Sequence, residues 1–379
     1  MANVNKTPGK ARRAEVAGGG FAGLTAAIAL RQNGWDVRLH EKSSELRAFG
    51  AGIYLWHNGL RVLEGLGALD DVLQGSHTPP TYETWMHNKS VSKETFNGLP
   101  WRIMTRSHLH DALVKRARAV GVDIRANSEA VAADPQGRLT LQTGEVLEAD
   151  LIVGADGVGS KVRDSIGFKQ DRWVSKDGLI RLIVPRKKKE LGHGEWDNTI
   201  DMWNFWPRVQ RILYSPCNEN ELYLGLMAPA ADPRGSAVPI DLEVWVEMFP
   251  FLEPCLIEAA KLKTARYDKY ETTKLDSWTR GKVALVGDAA HAMCPALAQG
   301  AGCAMVNAFS LSQDLETGSS VEDALLDWEK RIRPTTDRCQ ALSGDYAANR
   351  SLSKGNMFTP AALEAARYDP LRRVYSWPQ

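Results

Sequence analysis

Val16-Ala17-Gly18-Gly19-Gly20-Phe21-Ala22-Gly23 sets glycines in a G-x-G-x-x-G spacing at Gly18, Gly20 and Gly23, and Ala27 follows. An apolar run ends near Ala17, a helix-like run extends from about Phe21 to Asn33, and a strand-like run covers Asp36 to His40, so the segment reads as a βαβ unit. Each glycine has its own task. The first permits a tight turn, the second lets a pyrophosphate approach the backbone, and the third lets helix and strand pack closely. The helix N-terminus then stabilises the anion by about 0.3 to 1 kcal/mol. Glu41 closes the second strand 18 residues beyond Gly23, with Lys42 beside it. A carboxylate there accepts hydrogen bonds from ribose hydroxyls and repels a 2′-phosphate, which favours FAD or NAD over NADP.

Further along, Leu139 to Gln142 and Glu145 to Glu148 flank Thr143-Gly144 as a short hairpin, and Ala149 to Val153 reads as a buried strand. From Leu179 to Met227 the pattern is mostly strand, with turn signals at Ser215 to Asn220. Strand, glycine-rich loop and helix return near Gly281, and helical residues dominate after that. The fold class expected is α/β, a Rossmann-like domain with an inserted sheet-rich domain and C-terminal helices. Residues 14–75, 102–175 and 272–335 are assigned to the nucleotide domain, 76–101 and 176–271 to the substrate sheet, and 336–379 to a C-terminal helical region.

Two more motifs separate a flavin enzyme from an NAD dehydrogenase. Gly154-Ala155-Asp156-Gly157-Val158-Gly159-Ser160-Lys161-Val162-Arg163 follows a buried strand, and Val286-Gly287-Asp288-Ala289-Ala290-His291 is followed by Pro295 and by Gln299-Gly300-Ala301-Gly302. With the first motif, they resemble the class A flavoprotein aromatic hydroxylases, the group of para-hydroxybenzoate hydroxylase, over about Val16 to Leu315. The resemblance implies non-covalent FAD in a GR2-type domain. Asp288 would meet the ribityl chain, Pro295, Gly300 and Gly302 would border the flavin, and Asp156 and Arg163 would shape the loop between FAD and nicotinamide. Arg47, with Gly50-Ala51-Gly52, would lie by the flavin, and Arg106, in Met104-Thr105-Arg106-Ser107, would reach the FAD phosphates or ribose. Ala298 and Asn307 depart from the family pattern, which often has glycine and aspartate there. No second dinucleotide fingerprint is present in the sequence, in line with a transiently bound nicotinamide.

Bulk properties exclude other classes. Of the 379 residues, 47 are basic and 46 acidic, a net charge of +1 that gives no field for nucleic acid or an anionic membrane. The apolar stretches are too short to span a bilayer, and Met1 to Arg13 is polar and basic, without the apolar core of a secretory signal. Five scattered cysteines without a C-x-x-C pair speak against a disulfide framework and a metal site, and fit the cytoplasm. The twelve tryptophans are read mainly as packing, and His291 as a structural residue at a helix start. A homodimer is the assembly considered.

On the substrate side, pairing Gln210–Tyr214 with Leu222–Met227 so that Tyr214 faces Leu222 puts Arg211, Leu213, Tyr223, Gly225 and Met227 on one face, and Ile212, Tyr214, Leu222 and Leu224 on a core face. A cation and a phenol on an otherwise apolar face suit a flat acid. Arg211 and Tyr223, with Pro295, are the candidate catalytic residues. A solvated Arg211 is the competing reading. Tyr54, Tyr82, Arg181, Arg211, Tyr223 and Tyr270, with Met202-Trp203-Asn204-Phe205-Trp206-Pro207, resemble family members that oxygenate a hydroxypyridine carboxylate. That resemblance implies NADH and O2 as co-substrates, a flavin hydroperoxide as oxygen donor, and ring opening. The alternatives are a hydroxybenzoate- or salicylate-type hydroxylase without ring opening, an NAD dehydrogenase, a flavin halogenase and a non-catalytic FAD redox sensor. Trp203 to Pro207 lacks the W-x-W-x-I-P pattern of the halogenases.

Overall fold

A computed structural model describes residues 12–46, 51–263, 265–348 and 358–375. The strand Arg13–Ala17 is central to a six-stranded sheet. It pairs in parallel with Asp36–His40 on one side and with Leu151–Gly154 on the other, and Asp123–Arg125 and Val283–Leu285 extend the two flanks. Parallel neighbours need a crossover, here the helix Phe21–Gln32. Every residue of that helix from Phe21 to Leu30 is buried. Its sequence is apolar on all faces, so it is stable only when covered all round. The sheet covers one side, and the helix Gly300–Asp314 packs on it from another. Burial of Leu24, Ile28 and Leu30 contributes about 1.5–3 kcal/mol each. The hairpin read at Leu139–Glu148 is present as Arg138–Leu141 against Val146–Glu148, with Ala130–Asp134 as a third strand.

A seven-stranded sheet runs in the order Tyr267–Leu275, Gln170–Pro185, Glu221–Met227, Gln210–Pro216, Thr199–Asn204, Tyr82–Met86, Lys89–Glu94. One face, carrying Ile180, Ile212, Tyr214, Leu222, Leu224 and Leu226, packs on the helices Leu242–Met248 and Glu253–Ala260. The opposite face meets the two-stranded pair Gly52–Trp56 and Trp101–Thr105. Three elements run through the boundaries expected from the sequence. The strand Gln170–Pro185 crosses 175/176, Tyr267–Leu275 crosses 271/272, and the helix Val321–Ala348 crosses 335/336. Backbone hydrogen bonding continues across all three points. Beyond the helix, residues 358–375 hold a 3₁₀ turn at Ala365–Arg367 and a pair of two-residue strands, not further α-helix. Among the described residues, no helix is long and apolar enough to cross a membrane and no side-chain group could hold a metal ion. All five cysteines are buried and none is in a disulfide.

Candidate active site

The glycines of the first motif differ in what a side chain would meet. Gly18 has φ +104°, and a Cβ there would lie 2.3 Å from the Ala155 carbonyl oxygen. A Cβ on Gly23 would lie 1.9 Å from the Gly18 carbonyl oxygen. At Gly20 a Cβ would meet nothing within 4 Å, and no side chain caps the helix that begins there. The first and third glycines are thus demanded by packing, while the second opens onto space in front of uncapped N–H groups. Glu41 stands over the same turn. Its Oε2 accepts the Gly19 N–H at 2.9 Å and its Oε1 the Ser43 N–H at 2.9 Å. His110 Nε2 lies 2.8 Å from the Gly19 carbonyl oxygen and ties the loop to the helix Arg106–Ala119. Lys42 is exposed. Arg47 lies outside the described residues.

The other two motifs converge on this cleft. Asp156 accepts the Ser160 hydroxyl at 2.5 Å and the Val162 N–H at 3.1 Å, so its carboxylate holds the loop and caps the helix Lys161–Ile166. Arg163 is buried and donates to the carbonyls of Val158 and Ala289, joining this loop to the turn Asp288–His291. Asp288 is open to the cleft, yet protein surrounds it closely enough that desolvation pushes its carboxyl up, against the pull of Arg106 and Arg181. Arg106 lies 5.0 Å over the Phe21 ring, beside the first glycine loop.

Pro295 opens a 3₁₀ turn that ends at Ala298, a non-glycine residue in the left-handed region at φ 53°. A Cβ on Gly302 would lie 2.9 Å from Asn58 Oδ1, so packing against this side chain also restricts the position. Asn58, which sequence reading missed, is buried, donates to the Ala365 carbonyl at 2.9 Å and accepts the Gly59 N–H at 2.7 Å. At Gly300 the nearest contact would be Met293 at 3.6 Å, ordinary packing. His291 is buried and receives Asn307 Nδ2 on its Nε2 at 3.0 Å, and burial pulls its pKa down to about 4. It is a neutral structural imidazole, and the amide at 307 is its partner.

On the substrate side, the strands pair with Tyr214 opposite Leu224, Leu213 opposite Gly225 and Arg211 opposite Met227. The expected register was two residues off. An even shift preserves the faces, so Arg211, Leu213, Tyr223, Gly225 and Met227 do share one side. The solvated reading of Arg211 is overturned: it is 7% exposed and paired through Nε and Nη2 with Asp201. Its guanidinium lies 4.9 Å over Trp203, and Arg211 is in the wall of a 460 Å³ cavity with Trp203, Met227, Tyr270, Thr272 and Cys294. Tyr223, Tyr54 and Tyr82 form an aromatic layer behind it with Trp56, Trp101 and Phe358. Gly52 lies flat on Tyr223, since a Cβ there would be 2.4 Å from the ring. Burial pushes the Tyr223 phenol up, while Arg181 and Arg211 pull it down. Tyr54 shares a short hydrogen bond with Ser215, and Tyr82 donates to Asp201 Oδ2 at 3.1 Å. Arg181, on the strand beside that of Tyr223, is paired with Asp268 at 2.8 Å. Asp201 was missed because an acid within a strand carries no motif. A larger cavity, of 580 Å³, includes Arg38, His40 and Arg125 in its lining, but its guanidiniums are paired with Glu15 and Asp123.

The family model described as FAD binding domain matches residues 13–339. A 2-heptyl-3-hydroxy-4(1H)-quinolone synthase of Mycobacteroides abscessus is 35% identical, over 87% of this chain and 88% of its own. An FAD-dependent monooxygenase of Beauveria bassiana is 30% identical, over 87% and 84%. The chain belongs to the FAD-binding monooxygenase family. Among solved structures, the tetrameric form of 2-methyl-3-hydroxypyridine-5-carboxylic acid oxygenase is 96% identical, with a TM-score of 0.96, over 98% of this chain and 100% of that one. An FAD-binding monooxygenase needs room for a pyrophosphate at the first loop and polar groups along a cleft. The open side of Gly20, the uncapped helix start and the solvent-open Asp288 fit that need.

Proposed function

We propose that this flavin-dependent monooxygenase oxygenates 2-methyl-3-hydroxypyridine-5-carboxylate and opens its ring, with NADH as reductant and O2 as oxidant. The 96% identity to an oxygenase named for that acid carries the reading, and the arginine-walled cavity supports it. In this proposal Gly18, Gly20 and Gly23 cradle the FAD pyrophosphate, Glu41 holds the adenosine ribose with Lys42 beside it, and Asp288, Arg106 and Arg47 line the rest of the cofactor. Asp156 shapes the loop between FAD and nicotinamide, and the turn from Pro295 through Gly300 and Gly302 borders the flavin. Bound FAD would take electrons from the nicotinamide and supply the activated oxygen.

The chain's own residues bind, orient and exclude water. Arg211 takes the substrate carboxylate, and Tyr223, flanked by cations, holds the ring hydroxyl close to its anionic form, which makes the neighbouring carbon nucleophilic. The buried aromatic layer of Tyr54, Tyr82 and Trp101 keeps water from the reacting face, and Arg181 and Tyr270 border the ring's entry. Assembly as a tetramer in the cytoplasm belongs to the same proposal, the former in place of a dimer. NADH oxidation and O2 uptake across a panel of hydroxypyridine and hydroxybenzoate acids test it. The hydroxypyridine carboxylate should stimulate both most strongly and yield an acyclic product. Stimulation by a benzoate alone, or by no acid, sinks it.

A further inference from the structure

Asp201 is 3% exposed, on the strand Thr199–Asn204 beside the strand of Arg211. Its Oδ1 accepts Arg211 Nε, and its Oδ2 accepts Arg211 Nη2 at 3.0 Å and the Tyr82 hydroxyl at 3.1 Å. Two residues along the same strand, Trp203 stands opposite Arg211 in register and offers its ring to the guanidinium face. The arginine is therefore held along one edge and over one face. A guanidinium is a planar fork of five N–H donors, of which Asp201 takes two. The remaining three, both on Nη1 and the second on Nη2, meet no acceptor among the described residues, and they form a second bidentate edge on a residue that lines the cavity.

Stability alone does not account for this pair. Two ions buried together are often no better than apolar residues of the same volume, so a buried ion pair in a cavity wall is explained better by what it presents than by what it stabilises. We propose that Asp201 is a positioning residue for substrate recognition: by occupying the Nε/Nη2 edge of Arg211 it turns the Nη1/Nη2 edge toward the cavity to receive the substrate carboxylate. The inference rests on the carboxylate reading above. Because the pair is neutral overall, selectivity for an acid comes from the direction of the N–H groups and not from net positive charge.

The two causes predict opposite signs. Asp201→Asn makes the cavity wall more positive but loosens the arginine, while Asp201→Glu keeps the charge and displaces it by one methylene. Binding of the hydroxypyridine carboxylate and of its carboxamide is measured by titration of the FAD-loaded protein, with FAD content and melting temperature reporting folding. If direction governs, both variants bind the acid about tenfold or more weakly while the amide changes less than about threefold. Tighter or unchanged binding of the acid by Asp201→Asn, or equal losses for acid and amide, overturns the role of Asp201. If Asp201→Asn does not fold, Asp201→Glu decides by the same acid-to-amide ratio. Wild-type protein that binds acid and amide alike overturns the carboxylate reading itself, and this inference with it.

Discussion

Gly20 and Gly23 are three residues apart, at the N-cap and in the first turn of one helix, yet a methyl group at each would meet opposite surroundings: open space at the first and a carbonyl oxygen at 1.9 Å at the second. Gly20→Ala should fold with a stability change within about 1 kcal/mol but bind FAD far more weakly, since its methyl would stand where the pyrophosphate comes closest. Gly23→Ala should lose fold and flavin together. Flavin absorbance of the purified protein, set beside apoprotein melting, separates the two cases. Ala298 makes a prediction of the other sign. Its left-handed backbone at φ 53° costs an L-residue about 1 kcal/mol, of which the entropy glycine returns to the unfolded chain cancels roughly half, so Ala298→Gly should raise the melting temperature by about one degree. The sequence marked both positions, one by its motif and the other by its departure from it. It did not mark Asn58, whose claim on the space beside Gly302 is a contact between distant parts of the chain.

At the level of strands, alternation alone placed Arg211 and Tyr223 on one face. The pairing came out two residues away from expectation, and the faces survived because side chains repeat every two residues. A one-residue error would have turned Arg211 into the core of Ile212 and Tyr214. What alternation could not reveal is which element lies across that face. Asp201 and Trp203 come from the neighbouring strand, and Gly52 from a separate two-stranded pair. If Arg211 holds the substrate carboxylate, Arg211→Met should raise KM for the acid by about a hundredfold, near 3 kcal/mol, and KM for the amide by less than about threefold. Part of that loss comes from Asp201, left facing the acid without its cation. Equal rises for acid and amide would reject the contact.

Across the whole molecule, acid stability should show the imprint of His291. Its folded pKa of about 4 lies below the unfolded value near 6.5, so the unfolded chain binds the extra proton first as pH falls. The contribution is fully present above pH 6.5 and is lost progressively down to about pH 4, amounting to about 3 kcal/mol. Melting measured from pH 7.5 to 4.5 should decline in that window, and His291→Asn should flatten the decline at the cost of stability at neutral pH. A wild-type profile with no slope between pH 6.5 and 4.5 would rule this out. The same buried imidazole connects the Asp288 turn to the long helix Val321–Ala348 through Asn307, which also donates to Thr336 at 3.2 Å, so the turn and the helices Gly300–Asp314 and Val321–Ala348 share one polar link.

The sequence by itself determined the nucleotide-binding unit, the order of its three motifs and the two-faced strands of the middle sheet. These are encoded within one or two neighbouring elements, by glycine spacing and by the period of apolar residues. Only the tertiary structure decided where the strands and the long helix run past the expected boundaries, which side chain crowds Gly302, and that Arg211 reaches the cavity wall already paired. Each of those depends on which distant residue occupies the adjoining space, and no local pattern carries that information.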